Sequence, residues 1–215
     1  MEALSASLVG SPYEAHGLVG SAETPETPEV FTASLEGFDC VTYVETVLAL
    51  ARASDPGGFA EELRGIRYEG GRVEWARRNH YMTDWVRRNA RAGVVRPVAA
   101  EALAVRKEKL LSTVPGLPAR KARLSFVPKT KFPSLAPRLR NGDILLFAST
   151  KAGLDVFHCG LLVQKEGSWK LRHASLSAGR VVEEDLASFL SANRMAGLIA
   201  VRPLEATGCA PKGEA

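Results

Sequence analysis

The order of its hydrophobic patterns is the feature that most constrains how this chain can fold. Between residues 41 and 51, apolar residues recur at intervals of three and four, which predicts an amphipathic helix. After residue 140, short runs rich in β-branched and aromatic residues predict strands at 144–147, 157–163, 169–174, 180–182 and 198–202, with one helix at 184–192. Helices first and an antiparallel sheet second predict an α+β fold in one domain.

The segments between these patterns are less regular. Frequent glycines and prolines predict that residues 1–36 are loop with at most one short helix. Helical spacing favours a second helix at residues 59–66, another that ends at Gly93, and a further one across residues 94–114. Residues 68–73 have the pattern of a small hairpin.

Prolines and glycines dominate two later segments. Five prolines between residues 115 and 137 predict a long crossover loop with little regular structure. The last ten residues, 206–215, contain glycine and proline without apolar periodicity, and we expect them to form a disordered tail.

Composition narrows the class of protein. With 46% hydrophobic and 24% charged residues, the 215-residue chain has the balance of a globular domain. No run approaches the roughly 18 consecutive apolar residues of a membrane span, and the first residues lack the basic region and apolar core of a signal peptide. We therefore expect no transmembrane segment, and no signal peptide in the chain as given.

Charge is spread unevenly behind a net charge of +4. Residues 1–45 hold eight acidic residues and no Lys or Arg, whereas residues 77–140 hold sixteen Lys and Arg residues against Asp84, Glu101 and Glu108. Such a segment can bind an anionic polymer, whether nucleic acid, wall polymer or lipid head groups. Because the charges are dispersed and lack interleaved aromatic residues, a solvated face is favoured and no nucleic-acid partner is expected.

A cysteine stands where a turn becomes the first strong helix, in Gly37-Phe38-Asp39-Cys40-Val41-Thr42-Tyr43-Val44-Glu45. Gly37 supplies the turn and Asp39 is the expected N-cap, so Cys40 is the first helical residue. At that position the helix dipole and the unpaired N–H groups favour a thiolate. The alternative is a small buried cysteine that only packs under the helix start.

The other two cysteines, Cys159 and Cys209, do not complete a recognisable framework. Three cysteines are too few and too scattered for a set of disulfides, and no CxxC pair indicates structural zinc. Cys159 lies within a predicted strand and is expected in the core, while Cys209 lies in the predicted tail and is given no role.

Two histidines flank a polar segment between predicted strands. If Lys165-Glu166 forms a two-residue hairpin turn, counting outward sets His158 opposite His173 on one face of the sheet. A slip of one residue would separate them. Such a pair can bind a metal with a third ligand, serve a nucleophile as a base with its orienting group, or be purely structural.

These residues resemble the motifs of the NlpC-type cell-wall cysteine hydrolases. Four segments carry the resemblance in order: Leu8-Val9-Gly10-Ser11-Pro12-Tyr13, Phe38-Asp39-Cys40, His158-Cys159-Gly160 and His173-Ala174. A narrower resemblance is to the N-acetylmuramoyl-L-alanine amidase-like branch, through Asp39-Cys40-Val41-Thr42-Tyr43-Val44-Glu45, Arg78-Asn79-His80-Tyr81-Met82-Thr83-Asp84-Trp85 and Gly153-Leu154-Asp155-Val156-Phe157-His158. The chain departs from the pattern at Met82 and Cys159, where an aromatic and an aliphatic residue are expected.

The resemblance implies a papain-like fold, with N-terminal helices packed on a C-terminal antiparallel sheet. Residues 1–205 would form a single catalytic domain with a helical, basic insert at about 59–138. The implied reaction is hydrolysis of the amide between N-acetylmuramic acid and L-alanine in peptidoglycan or muropeptide fragments, without a metal or organic cofactor. Family members act on envelope material, so the cell envelope or periplasm is the implied compartment.

The resemblance also implies roles for individual residues. Cys40 is the nucleophile, His158 the base and His173 the orienting residue, and the Cys40 N–H and the Tyr13 hydroxyl hold the oxyanion. The candidate substrate-binding residues are His80, Tyr81, Asp84, Trp85 and Asp155. For the first four, the alternative is a helix start in which Thr83 or Asp84 is the cap and Trp85 is core.

Other functions stay open at this point. An enzyme of the same superfamily can cut the D-glutamyl to diaminopimelate bond instead, or transfer an acyl group from its thioester. A non-catalytic wall-binding module would use the basic residues 77–140, and a toxin delivered into other cells is also compatible. The oligomeric state is not predicted.

Overall fold

The computed structural model describes residues 1–15, 28–98 and 100–206. Within these ranges it contains six α-helices and eight strands of one antiparallel sheet, which confirms the predicted α+β fold. The helices are α1 (Glu2–Ser7), α2 (Cys40–Arg52), α3 (Pro56–Arg67), α4 (Met82–Arg91), α5 (Phe132–Leu135) and α6 (Leu186–Ala192). The strands are β1 (Val95–Pro97), β2 (Val105–Leu111), β3 (Arg120–Pro128), β4 (Ile144–Ala148), β5 (Val156–Lys165), β6 (Ser168–Ser175), β7 (Arg180–Asp185) and β8 (Gly197–Pro203).

The sheet has the strand order β2-β3-β8-β4-β5-β6-β7, and β1 also pairs with β8. Every residue of β4 is buried, because α2 packs on one face of the sheet and α6 on the other. An apolar run without alternation is the expected sequence for a strand covered on both sides. This central packing fixes β5 and β6, the strands that carry the two histidines.

The strands and the helix predicted after residue 140 are confirmed. The runs after residue 140 form β4 to β8, and the expected helix is α6. In the described part of residues 1–36, α1 is the one short helix. None of the helices within the described ranges is long and apolar enough to cross a membrane. The predicted tail, from residue 207 onward, and Cys209 lie outside the described residues.

The predicted helix over residues 94–114 is wrong, and so is the loop over 115–137. These segments contain β1, β2, β3 and α5. The insert expected to be helical, at about residues 59–138, is therefore largely strand in its second half. β2 pairs with β3 from Val105↔Phe126 to Leu111↔Arg120. In β2, four consecutive charged residues, 106–109, hide any alternation. In β3, polar and apolar residues do alternate from Lys121 to Phe126, but the surrounding prolines favoured a loop.

Prolines in this region mark the ends of elements rather than a loop. Pro115 and Pro118 lie in the connection between β2 and β3, Pro128 is the last residue of β3, and Pro133 stands in the first turn of α5. A missing N–H is tolerated at such positions. The predicted hairpin at residues 68–73 is also wrong, because a 3₁₀ turn, Glu69–Gly71, occupies it.

Candidate active site

Cys40 lies at the first position of α2, as the sequence predicts. Asp39 caps the helix: one carboxylate oxygen accepts hydrogen bonds from the backbone N–H groups of Val41 at 2.9 Å and Thr42 at 2.7 Å. In return, the Thr42 hydroxyl accepts a hydrogen bond from the Asp39 N–H at 2.9 Å, which completes a capping box. The positive end of the helix dipole therefore lies at the Cys40 thiol.

The pKa of Cys40 is lowered from 9.0 to about 5. The main cause is a hydrogen bond from Cys159, followed by a hydrogen bond from His158 and its charge, while burial and the Asp39 carboxylate act in the opposite direction. The thiolate therefore predominates at neutral pH. Cys40 is only half-buried, and a partly accessible thiolate beside an imidazole is the environment typical of a nucleophilic cysteine.

Cys159 is buried, as predicted, but it also contacts the candidate nucleophile. Its Sγ lies 3.1 Å from the backbone oxygen of Cys40, and its single proton can be donated either to this oxygen or to the Cys40 thiolate. The hydrogen bond with Cys40 and burial raise the pKa of Cys159 well above 9.0, so this thiol stays protonated and acts as a donor. Strand alternation placed Cys159 on the face away from His158, but the sequence could not show that α2 begins on that face.

His158 and His173 are in contact. Nε2 of His158 lies 2.6 Å from Nδ1 of His173, and the ring planes are nearly perpendicular, at 87°. The predicted turn is wrong: Glu166 and Gly167 occupy it, both with positive φ, and Lys165 belongs to β5. This change moves the register by two residues and so preserves the face, which is why the imidazoles still meet, diagonally rather than directly opposite.

A glycine and two aromatic rings hold the imidazoles in place. A Cβ on Gly160 would lie 2.9 Å from the Cβ of His173 and 2.8 Å from the backbone oxygen of Arg172. Only glycine therefore allows β5 and β6 to approach this closely. The ring of Phe189 lies 5.6 Å from that of His158, and Phe147 lies 6.1 Å from it, measured between centroids.

A carboxylate that the sequence analysis did not select extends the two histidines into a row. Nε2 of His173 lies 2.6 Å from Oε1 of Glu184. Burial, followed by the charge of His158, lowers the pKa of His173, while Glu184 opposes this effect, so a neutral imidazole is favoured. Glu184 was missed because the pattern assigned it to the following helix, whereas β7 extends through Asp185 before α6 begins.

Tyr13 lies at the same end of α2 as Cys40. Its backbone forms a parallel bridge with Phe38, two residues before the thiol, and its N–H donates to the Gly179 oxygen at 2.9 Å. Burial, followed by the charges of Cys40 and Asp39, raises the pKa of the phenol. The Tyr13 hydroxyl therefore stays protonated and can act as a hydrogen-bond donor.

Three of the predicted substrate-binding residues are engaged with other parts of the insert. Nε2 of His80 lies 2.7 Å from the backbone oxygen of Trp75, and burial lowers the pKa of His80 to about 4. The Tyr81 hydroxyl accepts hydrogen bonds from the backbone N–H groups of residues 113 and 114. Asp84 forms ion pairs with Arg87 and Arg120.

The other two, Trp85 and Asp155, are buried. The Trp85 indole donates to Glu45 at 3.2 Å, which confirms the alternative prediction that Trp85 is core. Asp155 accepts hydrogen bonds from the Thr83 backbone N–H at 2.8 Å and from its hydroxyl at 2.7 Å. Asp155 thus caps α4 from a distant segment, and the prediction that Thr83 or Asp84 supplies the cap is wrong.

A cavity of about 450 Å³ opens elsewhere in the molecule, between α4 and strands β1, β3 and β8. None of the nine predicted site residues is among the described residues that line it, so the row of Cys40, His158 and His173 is not at this cavity. In the described part of the chain, no three His, Cys, Asp or Glu side chains are grouped closely enough to hold a metal ion.

Comparison with known proteins adds a family to this geometry. The profile of the AmiA-like family, described as N-acetylmuramoyl-L-alanine amidase-like, matches residues 3–198. Two crystal structures of an N-acetylmuramoyl-L-alanine amidase from Bacteroides uniformis share 25% sequence identity with the chain, with TM-scores of 0.81 and 0.83. The alignments cover 94% of this chain and 98% and 97% of theirs.

Two further structures share the fold. A Bacteroides fragilis protein, provisionally described as a xylanase, is 26% identical with a TM-score of 0.79, over 93% of this chain and 99% of that one. A Legionella pneumophila protein is 22% identical with a TM-score of 0.79, over 94% and 87%. No curated protein matches the sequence.

Proposed function

Because the chain belongs to the AmiA-like family of N-acetylmuramoyl-L-alanine amidase-like proteins, we propose that it hydrolyses the amide between N-acetylmuramic acid and L-alanine with Cys40 as nucleophile. The family supplies the substrate class, peptidoglycan or its muropeptide fragments. The observation that carries the role of Cys40 is its place at the start of α2, where Cys159 and His158 lower the pKa of its thiol to about 5. A thiolate held beside an imidazole is prepared for attack on a carbonyl.

We extend the proposal to the fold and its domain. A cysteine at a helix start that meets a histidine on an antiparallel sheet supports a papain-like, NlpC-type arrangement. Residues 1–205 would form one catalytic domain into which residues 59–138 are inserted. The substrate-binding roles of His80, Tyr81, Asp84, Trp85 and Asp155 stay a prediction.

In the first step, the Cys40 thiolate attacks the lactyl carbonyl and a tetrahedral intermediate forms. The proton of the thiol resides on Nδ1 of His158, because Nε2 of that ring is occupied by His173. The oxyanion accepts hydrogen bonds from the Cys40 N–H, a first-turn donor without an intrahelical partner, and from the Tyr13 hydroxyl.

Collapse of this intermediate breaks the carbon–nitrogen bond. The His158 imidazolium protonates the leaving alanine nitrogen, and a thioester remains on Cys40. His158, now neutral, takes a proton from water while the oxygen of that water attacks the thioester. Departure of the Cys40 thiolate releases the lactyl carboxylate and restores the thiolate and imidazolium pair.

The nature of the site also favours amide hydrolysis over cleavage of a sugar chain. A glycoside hydrolase normally uses two carboxylates that flank the bond. The groups gathered near Cys40 are a second thiol, two imidazoles, and two carboxylates that already cap α2 and bind His173.

A muropeptide digest followed by mass spectrometry tests the proposal. The wild type should release the peptide with a free L-alanine amine and leave the sugar with a lactyl carboxylate. Cys40→Ala should abolish this release, whereas Cys209→Ser, which removes the thiol with no assigned role, should not. Cleavage after D-glutamate instead would identify the endopeptidase, and turnover by Cys40→Ala would overturn the assignment of the nucleophile.

A further inference from the structure

Three consecutive carboxylates at the end of β7 have three different roles. Glu183 and Glu184 point to opposite faces of the strand, as neighbours in a strand do, and only Glu184 bonds to His173. Asp185 caps α6 by accepting a hydrogen bond from a backbone N–H at 2.8 Å. Glu183 and Asp185 are also paired with basic side chains: Glu183 with Arg172 and Lys165, and Asp185 with Lys170.

We propose that Glu184 is a positioning residue that selects the tautomers of both His173 and His158, and so keeps Nδ1 of His158 available to Cys40. The inference rests on the function proposed above, because it takes His158 as the base. It adds a carboxylate that touches neither the substrate nor the nucleophile but determines which nitrogen of the base carries its proton.

The tautomers follow from the chemistry of the donors and acceptors. An ionised carboxylate only accepts hydrogen bonds, so the bond of 2.6 Å to Glu184 requires the proton of His173 to be on Nε2. Nδ1 of His173 then has a lone pair, which accepts the hydrogen bond from Nε2–H of His158 at 2.6 Å. In neutral His158 the remaining nitrogen, Nδ1, is therefore unprotonated and is ready to take the proton of Cys40.

Without Glu184, the opposite arrangement becomes available. His173 with its proton on Nδ1 would donate to Nε2 of His158, and neutral His158 would then carry its own proton on Nδ1, where a base must have a lone pair. The imidazolium form of His158 would be disfavoured as well, because two N–H groups would face each other. With Glu184 present or absent, the proton that His158 takes from Cys40 stays on His158 and does not pass to Glu184.

Burial makes this selection effective. His173 is only 2% exposed, and the ring of Phe189 packs 5.4 Å from it. A ring that lost its partner here could not easily regain the hydrogen bond from bulk water. The preference between the two tautomers is therefore determined by Glu184, the carboxylate at its outer edge.

The isosteric variant Glu184→Gln tests the proposal, with Glu183→Gln as the matched control on the other face of β7. A glutamine can accept from or donate to His173, so it removes the selection without removing the side chain. We expect kcat on the muropeptide to fall about 10- to 100-fold with little change in KM, by analogy with the loss of a carboxylate that orients a metal-bound imidazole. Glu183→Gln should lower thermal stability and leave kcat near the wild-type value.

The tautomers themselves are read from long-range ¹H–¹⁵N spectra of the imidazoles, of which the chain has four. The wild type should show His173 protonated on Nε2 alone, and Glu184→Gln should show a mixture. Cys40 alkylation at mildly acidic pH should also slow in Glu184→Gln. An unchanged tautomer, or an unchanged kcat, would overturn the inference.

These spectra and the alkylation use the resting enzyme, so they do not depend on the identity of the substrate. If the wild type cleaves no muropeptide but Glu184→Gln still shows the mixed tautomer and slower alkylation, the proposed function fails and the role of Glu184 stands. If the wild type is active and the tautomer is unchanged, the reverse holds.

Discussion

Helix α2 carries two polar clusters, at Cys40 and at Glu45, which are only five residues apart. They differ in whether the protons of their hydrogen bonds have alternative positions. In the first cluster, the backbone oxygen of Cys40 lies 3.1 Å from the thiol of Cys159, and Cys159 and His158 lower the pKa of the Cys40 thiol. In the second cluster, Glu45 accepts hydrogen bonds from Nε of Arg67 at 2.8 Å and from the Trp85 indole at 3.2 Å. Glu45 is 2% exposed, so its cluster is the more deeply buried of the two.

The direction of each hydrogen bond separates the two clusters. A guanidinium and an indole only donate and an ionised carboxylate only accepts, so every bond around Glu45 has a single direction. Burial raises the pKa of Glu45, and the charge of Arg67 opposes that rise. An imidazole can donate or accept, and the Cys40 thiol can lose its proton. Burial of polar groups therefore does not distinguish the proposed catalytic site from the Glu45 cluster, whereas protons with alternative positions do.

The largest effect on rate should come from removing the base. His158→Gln keeps a hydrogen-bonding side chain beside His173 but cannot exchange a proton with Cys40. We expect kcat/KM on the muropeptide to fall about 10²- to 10⁴-fold, the usual contribution of general acid–base catalysis. The melting temperature should stay close to that of the wild type. A variant that retained wild-type turnover would show that His158, like the Glu45 cluster, exchanges no proton in the reaction.

The next effect should be on stability and confined to the other cluster. Arg67→Met leaves Glu45 as a buried charge without its partner, which should lower the free energy of unfolding by about 3–5 kcal/mol. Arg64→Met is the matched control on the same helix, because its pair with Glu61 is exposed and should contribute about 0–1 kcal/mol.

Denaturant unfolding measures this difference, and turnover is measured where both variants remain folded. Arg67→Met should then match Arg64→Met in turnover per folded molecule. A specific loss of turnover in Arg67→Met, with stability like that of the control, would mean that the Glu45 cluster takes part in the reaction.

The contrast between the clusters explains how much of the site could be predicted from the sequence. The start of α2 was predictable because capping is local: Asp39 and Thr42 lie three residues apart and bond to each other. The meeting of His158 and His173 survived a wrong turn, because a shift of two residues keeps both side chains on one face. Local chemistry and strand parity were therefore sufficient for Cys40 and the two histidines.

Contacts between distant segments could not be predicted in this way. Glu184 reaches His173 only because β7 pairs with β6 in a register that no local pattern defines. Asp155 caps α4 across 72 residues of sequence. The strand β2 was missed because four consecutive charged residues hide its alternation, and β3 was missed because the prolines around it outweighed an alternation that is present.

The smallest expected effect concerns Cys159, the second donor to the nucleophile. Cys159→Val replaces the thiol with an aliphatic side chain of similar size, so the packing should be largely preserved. The variant loses the hydrogen bond that is the main cause of the low pKa of Cys40. His158 and the helix start remain, so the pKa should rise above about 5 but stay below the ordinary value of 9.0. Turnover at neutral pH should therefore change only a few-fold.

The rate of Cys40 alkylation against pH measures this shift directly. A lowered pKa means that the thiolate persists on acidification, so the wild-type rate should be near its plateau at neutral pH and fall as the pH drops through about 5. In Cys159→Val and in His158→Gln, the same fall in rate should occur at higher pH. Arg67→Met should leave the curve unchanged, because Arg67 is not among the causes of the lowered pKa of Cys40. If Cys159→Val and the wild type gave the same curve, the second thiol would be mere packing, and the low pKa of Cys40 would depend on His158 and the helix start alone.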